Sequence, residues 1–216
     1  MGLVVTAPWL RSVTARTATP KPGSRADDEP AVVEAARAGD RKAFEQLYRK
    51  HAQSVFARLT RLVGPIQERE DLMQQVFLEL HRALPRYRGD APLGAYLHGI
   101  VVRVAYEHLR RAMRRPQIFR DDQMVDLVPP ASSPETTARE REQLALAFTR
   151  LAKLKPKKRV AFVLNVIEGL SLAEMAGILQ VDARTLGQRV AYARRELAAM
   201  FERDEKGAFA KDGGRQ

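Results

Sequence analysis

The sequence predicts an all-α protein made of two small helical domains joined by a flexible linker. Apolar residues return every three or four positions along two long stretches, and the few glycines and prolines inside those stretches fall at plausible breaks. Between the stretches, residues 116–139 collect prolines, serines and aspartates and lose the helical spacing. No segment alternates apolar and polar residues as a half-buried strand would.

The predicted domain limits follow these changes in composition. Residues 30–115 form the first domain, residues 116–139 the linker and residues 140–203 the second domain. We expect residues 1–29 to be a disordered extension and residues 204–216 a disordered tail.

The charge balance favours a polyanionic partner. The 216 residues include 37 Lys and Arg against 26 Asp and Glu, which gives a net charge of +11. Basic surfaces gain free energy on nucleic acid by releasing its condensed counterions, although membranes and acidic proteins remain possible on charge alone. No apolar run approaches the roughly 18 residues that span a bilayer, so we expect a soluble, cytoplasmic protein without membrane insertion.

The sequence offers no catalytic or metal-binding constellation. It contains no cysteine, which excludes disulfides and thiolate metal sites. The four histidines show no ligand spacing, and there is no glycine-rich phosphate loop, nucleophile motif or carboxylate pair. We therefore expect no catalytic residue, metal, cofactor or small-molecule substrate, and an enzyme acting on nucleic acid has no support.

The first domain combines an acidic helix face with a basic helix. The helix predicted from Glu68 to Leu84 exposes Glu70, Asp71, Gln74 and Glu79, a face that suits a protein better than DNA. Between Tyr96 and Arg115, the helical wheel places Leu97, Ile100, Val101, Val104 and His108 in an apolar sector, so we expect His108 to be packed in the core. Elsewhere on that wheel lie Arg103, Arg110 and Arg114, a cationic ridge suited to a phosphate backbone.

A glycine- and proline-containing loop precedes the basic helix and is bracketed by Tyr87 and Tyr96. Aromatic faces and arginines are the usual platforms for unstacked bases, so this loop could hold one. A plain turn between helices explains it almost as well.

The second domain contains a helix-turn-helix pattern from Gly169 to Val190. Ser171 and Glu174 have the spacing of a capping box, and Asp182 can cap the second helix. That helix turns Leu186, Val190, Ala193 and Leu197 inward and Arg184, Gln188, Tyr192 and Arg195 outward. Outward Arg and Gln suit major-groove contacts, although a solvated face of an ordinary bundle remains an alternative.

A basic run without an acid precedes this motif. Its members can contact phosphates without specifying sequence, or can simply be solubilising charges. They are Arg150, Lys153, Lys155, Lys157, Lys158 and Arg159.

These residues resemble a known family. Asp71–Leu84, Tyr87–Leu97 and the basic helix resemble region 2 of the extracytoplasmic-function (ECF) sigma factors of the sigma-70 family. Leu151–Ala176 and the following helix are similar to region 4. The resemblance covers residues 31–115 and 140–203, in the family's order.

The resemblance implies a bacterial sigma factor that binds core RNA polymerase and directs it to specific promoters for transcription initiation. Polymerase, not this chain, would add nucleotides, and region 4 would also contact the polymerase flap. The clamp helices of the largest polymerase subunit would bind Asp71, Gln74, Gln75 and Glu79. Promoter melting and capture of a flipped base would involve Tyr87, Arg88, Gly89, Asp90, Tyr96, Arg103, Arg110 and Arg114. The helix-turn-helix would contact the more distant promoter element through Arg184, Thr185, Gln188, Arg189, Tyr192 and Arg195.

The resemblance also allows an anti-sigma factor as a partner, and it places the chain at the nucleoid when it is bound to polymerase. Four positions depart from the family pattern: Tyr96 replaces Trp, Arg103 replaces Asn, Gln180 replaces a turn glycine and Gly187 replaces a basic residue. These departures bear on promoter sequence and on melting. The alternative function is a helix-turn-helix repressor or activator that never binds core polymerase and uses its first domain for dimerisation or ligand sensing.

Overall fold

The structure is a computed structural model that describes residues 29–114 and 138–212. These residues are helical apart from short turns, and the described part of the chain contains no strand, which confirms the predicted fold class. They fall in two compact units, residues 29–114 and residues 138–212. Apart from their edges, the predicted extension at 1–29 and linker at 116–139 lie outside the described residues.

The first unit consists of four helices: α1 (Glu29–Arg37), α2 (Arg41–Val63), α3 (Arg69–Ala83) and α4 (Leu93–Arg114). A short 3-10 turn, Leu84–Arg86, follows α3. Asp40 caps α2, since its carboxylate accepts hydrogen bonds from the backbone N–H groups of Lys42 and Ala43. Gly64, with φ of 85°, ends the same helix, because glycine adopts this backbone without strain.

The core of this unit lies where α2, α3 and α4 pack together. Leu59, Val76, Leu80 and Val101 are fully buried there, and α1 covers α2. The apolar sector predicted for α4 is buried at Leu97, Ile100, Val101 and Val104, as expected. His108 is only half-buried at its edge, so its predicted core position was wrong, and His98 is the buried histidine of α4.

The second unit also has four helices: α5 (Ala138–Ala152), α6 (Pro156–Phe162), α7 (Leu172–Leu179) and α8 (Ala183–Asp212). A π-helical turn, Val163–Ile167, extends α6, and Gly169 at φ of 75° redirects the chain towards α7. Leu164, Met175, Leu186 and Ala193 are fully buried and join these elements into one core.

The last helix is longer than the sequence analysis predicted. Residues 204–216 were expected to form a disordered tail, but α8 continues to Asp212. Residues 204–212 contain no proline and a single glycine, so nothing in them ends a helix that is already anchored to the core.

Candidate nucleic-acid interface

The polar face of α3 is displayed to solvent. Asp71 and Gln74 are exposed, and Gln75 and Glu79 are half-buried. The opposite side of the helix is fixed in the core by buried Leu72, Val76, Phe77 and Leu80. Because residues three and four positions apart share a helix face, these four polar side chains form one continuous surface, called here the α3 polar face.

Leu78 lies beside the α3 polar face and was not predicted from the sequence. Its side chain is 49% exposed, and it lies four residues after Gln74 and seven after Asp71. The helical periodicity that places Asp71 and Gln74 on this side of α3 places Leu78 there too. An exposed apolar side chain therefore lies next to the polar groups of the face.

One residue of this face is bonded to the basic helix. Arg103 Nη2 donates to Glu79 Oε2 at 2.7 Å, and Gln75 Nε2 donates to Glu79 Oε1 at 3.4 Å. The side chain of Arg103 is 63% exposed and that of Glu79 is 26% exposed. The family resemblance implies different partners for Glu79 and Arg103, whereas the fold joins them in an ion pair between α3 and α4.

The cationic ridge of α4 is exposed along its length. Arg103, Arg110 and Arg114 all reach solvent, as predicted. Arg110 donates to Glu107 at 2.8 Å, three residues earlier on the same helix. Two of the three predicted arginines are therefore partly neutralised by carboxylates.

The loop before α4 is closed by contacts between its own residues. The ring centroids of Tyr87 and Tyr96 lie 5.1 Å apart with an interplanar angle of 49°. The Tyr87 hydroxyl donates to the Ala91 carbonyl, and burial is the main cause that raises its pKa, with Glu29 and Asp90 adding to the effect. The two half-buried tyrosines thus contact each other.

The tip of this loop is accessible. Arg88, Gly89 and Asp90 are exposed, and Gly89 has φ of 79°, which a side chain would strain. The loop and α1 together line a cavity of about 530 Å³. Its lining includes Val33, Arg37 and Leu93.

The turn between α7 and α8 is fixed by the caps that the sequence predicted. Ser171 Oγ accepts from the Glu174 backbone N–H at 3.2 Å, and Glu174 Oε2 accepts from the Ser171 N–H at 2.8 Å. These bonds to Ser171 lower the pKa of Glu174. Asp182 Oδ1 accepts from the Thr185 N–H at 2.7 Å, and hydrogen bonding with Thr185 lowers the pKa of Asp182. Both carboxylates stabilise the start of a helix in their charged form.

The departures at Gln180 and Gly187 both have structural roles. Gln180 ends α7 in the left-handed conformation at φ of 53°, and its side chain donates to the Gly177 carbonyl at 2.7 Å. Gly187 faces α7, because a Cβ built there would lie 3.4 Å from Leu172 Cδ1. Neither position belongs to the outward face of α8.

The outward face of α8 is the one that the sequence predicted. Arg184, Gln188, Tyr192 and Arg195 are exposed, and Leu186, Val190, Ala193 and Leu197 are buried. Two further predicted positions, Thr185 and Arg189, are half-buried at the edge of this face. The helix therefore presents two donors at its N-terminal end, Arg184 and Gln188, on a rigidly packed scaffold.

The basic run before the motif is only partly available to a ligand. Lys153, Lys155 and Lys157 are exposed. Arg159 is 4% exposed, and burial lowers its pKa to about 10, so its predicted contact with phosphate was wrong. Val160, Ala161 and Phe162 after it are also buried, so this end of α6 is enclosed on nearly every side.

Two cations of the run contact aromatic rings of α8. Arg150 lies 3.8 Å from the ring centroid of Phe201. Lys158 pairs with Glu196 and lies 5.5 Å from the ring centroid of Tyr192. Tyr192, itself 53% exposed, is thus an aromatic surface next to positive charge.

Within residues 29–114 and 138–212, no cluster of ligand side chains could hold a metal ion. No helix among those residues has the length and apolar character needed to cross a membrane.

Each of the two units matches a known protein family. Residues 47–115 match the family model of sigma-70 region 2, and residues 146–197 match that of sigma-70 region 4. The ECF RNA polymerase sigma factor SigM of Mycobacterium tuberculosis is 36% identical over 166 residues, covering 76% of this chain and 80% of the relative. The RNA polymerase sigma-H factor of Pseudomonas aeruginosa is 28% identical over 176 residues, covering 77% and 90%.

Solved structures share the fold. CnrH in complex with the cytosolic domain of CnrY aligns with a TM-score of 0.57 at 24% identity, covering 82% of this chain and 99% of that one. The sigma factor RpoE of Bartonella quintana, in complex with the anti-sigma factor NepR, aligns with a TM-score of 0.54 at 21% identity, covering 74% and 98%. Both units and their order match, so this chain belongs to the ECF family of RNA polymerase sigma factors, which are initiation factors without catalytic activity of their own.

Proposed function

We propose that this sigma factor docks on core RNA polymerase through the α3 polar face and directs it to promoters through α4 and α8. The observation that carries the proposal is the simultaneous exposure of three surfaces, the α3 polar face, the α4 arginines and the outward face of α8. Each is held by a buried stripe on the opposite side of its helix, so each partner would meet a preformed surface.

Contact with the clamp helices of the largest polymerase subunit is assigned to Asp71, Gln74, Gln75 and Glu79 of α3. Carboxylates and amides suit a partner that offers cationic and amide groups, and exposed Leu78 adds apolar area next to them. The second unit would contact the polymerase flap.

Promoter melting is assigned to the loop before α4 and to the ridge behind it. Tyr87 and Tyr96 offer a stacking surface for an unpaired base, and the exposed tip Arg88, Gly89 and Asp90 offers polar groups for its edge. Phosphates would then be held by Arg103, Arg110 and Arg114.

Sequence-specific contact with the more distant promoter element is assigned to the start of α8. Arg184 and Gln188 lie one turn apart at its exposed N-terminal end, where a recognition helix meets base edges. Arg189, Tyr192 and Arg195 would contact the flanking backbone, and the Thr185 side chain lies beside them.

Such a protein works in the bacterial cytoplasm, at the nucleoid when it is bound to polymerase. A further partner is an anti-sigma factor, because the similar RpoE of Bartonella quintana was captured with one.

The test is a transcription assay with core polymerase and the full-length chain on fragmented genomic DNA, followed by sequencing of the transcripts. We expect discrete start sites that core polymerase alone does not give. If the chain binds specific DNA but never assembles with core polymerase, it is a repressor or activator of the helix-turn-helix class.

A further inference from the structure

Three hydrogen-bonded side chains connect the two surfaces of the first unit that the proposed function assigns to different partners. Gln75 and Glu79 belong to the α3 polar face, and Arg103 belongs to the cationic ridge of α4. One oxygen of Glu79 accepts from Gln75 at 3.4 Å, and the other accepts from Arg103 at 2.7 Å. Glu79 thus accepts one hydrogen bond from its own helix and one from α4.

The pair lies where both partners would reach it. Glu79 follows Gln75 by one helical turn, so a protein that covers the α3 polar face also covers Glu79. Arg103 is 63% exposed on the neighbouring helix and is open to a phosphate. A guanidinium held by a carboxylate has part of its charge cancelled, and it attracts phosphate less than a free one.

We propose that Glu79 exchanges partners, holding Arg103 in the free chain and releasing it for promoter DNA when core polymerase docks on α3. This inference rests on the proposed function, since it takes α3 as the polymerase face and α4 as a DNA-binding helix. By linkage, DNA on Arg103 strengthens polymerase docking by the same factor that docking strengthens DNA binding. Because exposed ion pairs contribute little, that factor is about two- to fivefold.

The free chain provides the first measurement. Fluorescence anisotropy with a short labelled single-stranded DNA of mixed sequence compares the wild type with Glu79→Gln, Arg103→Gln and the double variant. We expect Glu79→Gln to bind about two- to fivefold more tightly, as loss of an exposed ion pair allows. In the Arg103→Gln background, the same substitution should have no further effect.

Glu45→Gln is the matched control. Glu45 pairs with Arg49 at 2.6 Å on α2, so this variant also removes one carboxylate from an exposed ion pair with arginine. DNA affinity should stay close to that of the wild type. Equal tightening by Glu45→Gln, or tightening by Glu79→Gln without Arg103, would show a general charge effect and overturn the proposal.

The second measurement repeats the comparison with saturating core polymerase. Wild-type and Glu79→Gln holoenzymes should bind the DNA equally, because polymerase already occupies Glu79. A remaining advantage of Glu79→Gln would show that the pair persists in the holoenzyme, and partner exchange would be wrong. A chain that does not assemble with core polymerase contradicts the proposed function instead, while the free-chain result still decides whether Glu79 restrains Arg103. Circular dichroism of every variant verifies the fold.

Discussion

The two helices that we propose to contact DNA differ in how their polar side chains are bonded within the free protein. On α4, Arg103 and Arg110 each donate to a carboxylate of the same unit. On α8, the side chains of Arg184 and Gln188 make no hydrogen bond or ion pair with any other residue that the structure describes. Two arginines of α4 are therefore paired with carboxylates, whereas Arg184 and Gln188 of α8 are unpaired donors within the described residues.

The difference fits two kinds of DNA contact. Base edges are recognised by donors with fixed geometry, and competition from a neighbouring carboxylate would weaken their discrimination. Backbone contacts depend on net charge and tolerate paired side chains, because a phosphate can displace an exposed carboxylate at little cost. We infer that α8 determines which DNA is bound and that α4 determines how strongly opened DNA is held.

The largest effect should follow from loss of these unpaired donors. Replacing Arg184 and Gln188 together by Ala should weaken binding to the distant promoter element by about 2 to 6 kcal/mol, since each bidentate contact contributes about 1 to 3 kcal/mol. Footprinting of holoenzyme on a promoter identified by transcript sequencing measures this loss.

Arg194→Ala is the control for that experiment. Arg194 is also exposed on α8, but it lies ten residues after Arg184, about 15 Å along the helix. Its loss should leave the footprint in place. An unchanged footprint in the Arg184 and Gln188 variant would remove the assignment of α8 as the recognition helix.

Helical periodicity was sufficient to predict much of this arrangement. The buried and exposed sides of α8 and the caps at Ser171 and Asp182 all follow from local sequence, because each depends on residues within four positions of one another. The wheel also predicted the exposed arginines of α4. A helical wheel predicts exposed positions without tertiary information, because one face of each helix must be buried.

Features that depend on contacts between helices could not be predicted from the sequence. The ion pair between Glu79 and Arg103 joins residues 24 positions apart. Burial of Arg159 depends on how a short helix packs on α8, which a run of basic residues does not reveal. The continuation of α8 to Asp212 was missed because the last residues of a domain are usually disordered unless contacts fix them.

A smaller effect is expected from the α3 polar face. Asp71→Ala with Gln74→Ala should lower affinity for core polymerase by about tenfold, roughly 1.4 kcal/mol, since both side chains are exposed at the proposed contact. The free energy of unfolding should change by less than about 0.5 kcal/mol, as is usual for surface substitutions. Competition binding against a labelled sigma factor gives the affinity, and urea denaturation gives the stability.

The matched pair for this test is Glu45→Ala with Gln46→Ala, an exposed acid and amide on α2. It should leave affinity for polymerase unchanged. If the Asp71 and Gln74 variant binds core polymerase normally, docking does not use this face, and the comparison between α4 and α8 would then apply to a free DNA-binding protein.

The smallest effect should come from the far end of the α4 ridge. Arg110→Gln with Arg114→Gln should weaken DNA binding severalfold and by the same factor on every promoter, because phosphate contacts carry no sequence information. The slope of log affinity against log salt should become shallower by about 0.7 to 0.9 for each phosphate that the variant no longer neutralises. Since Arg110 must leave Glu107 before it meets a phosphate, its share of the weakening should be smaller than that of Arg114. Arg49→Gln, which removes an exposed arginine from an ion pair on α2, is the control and should leave the slope unchanged. A weakening that varies from promoter to promoter would mean that α4 distinguishes bases, and the proposed division between the two helices would fail.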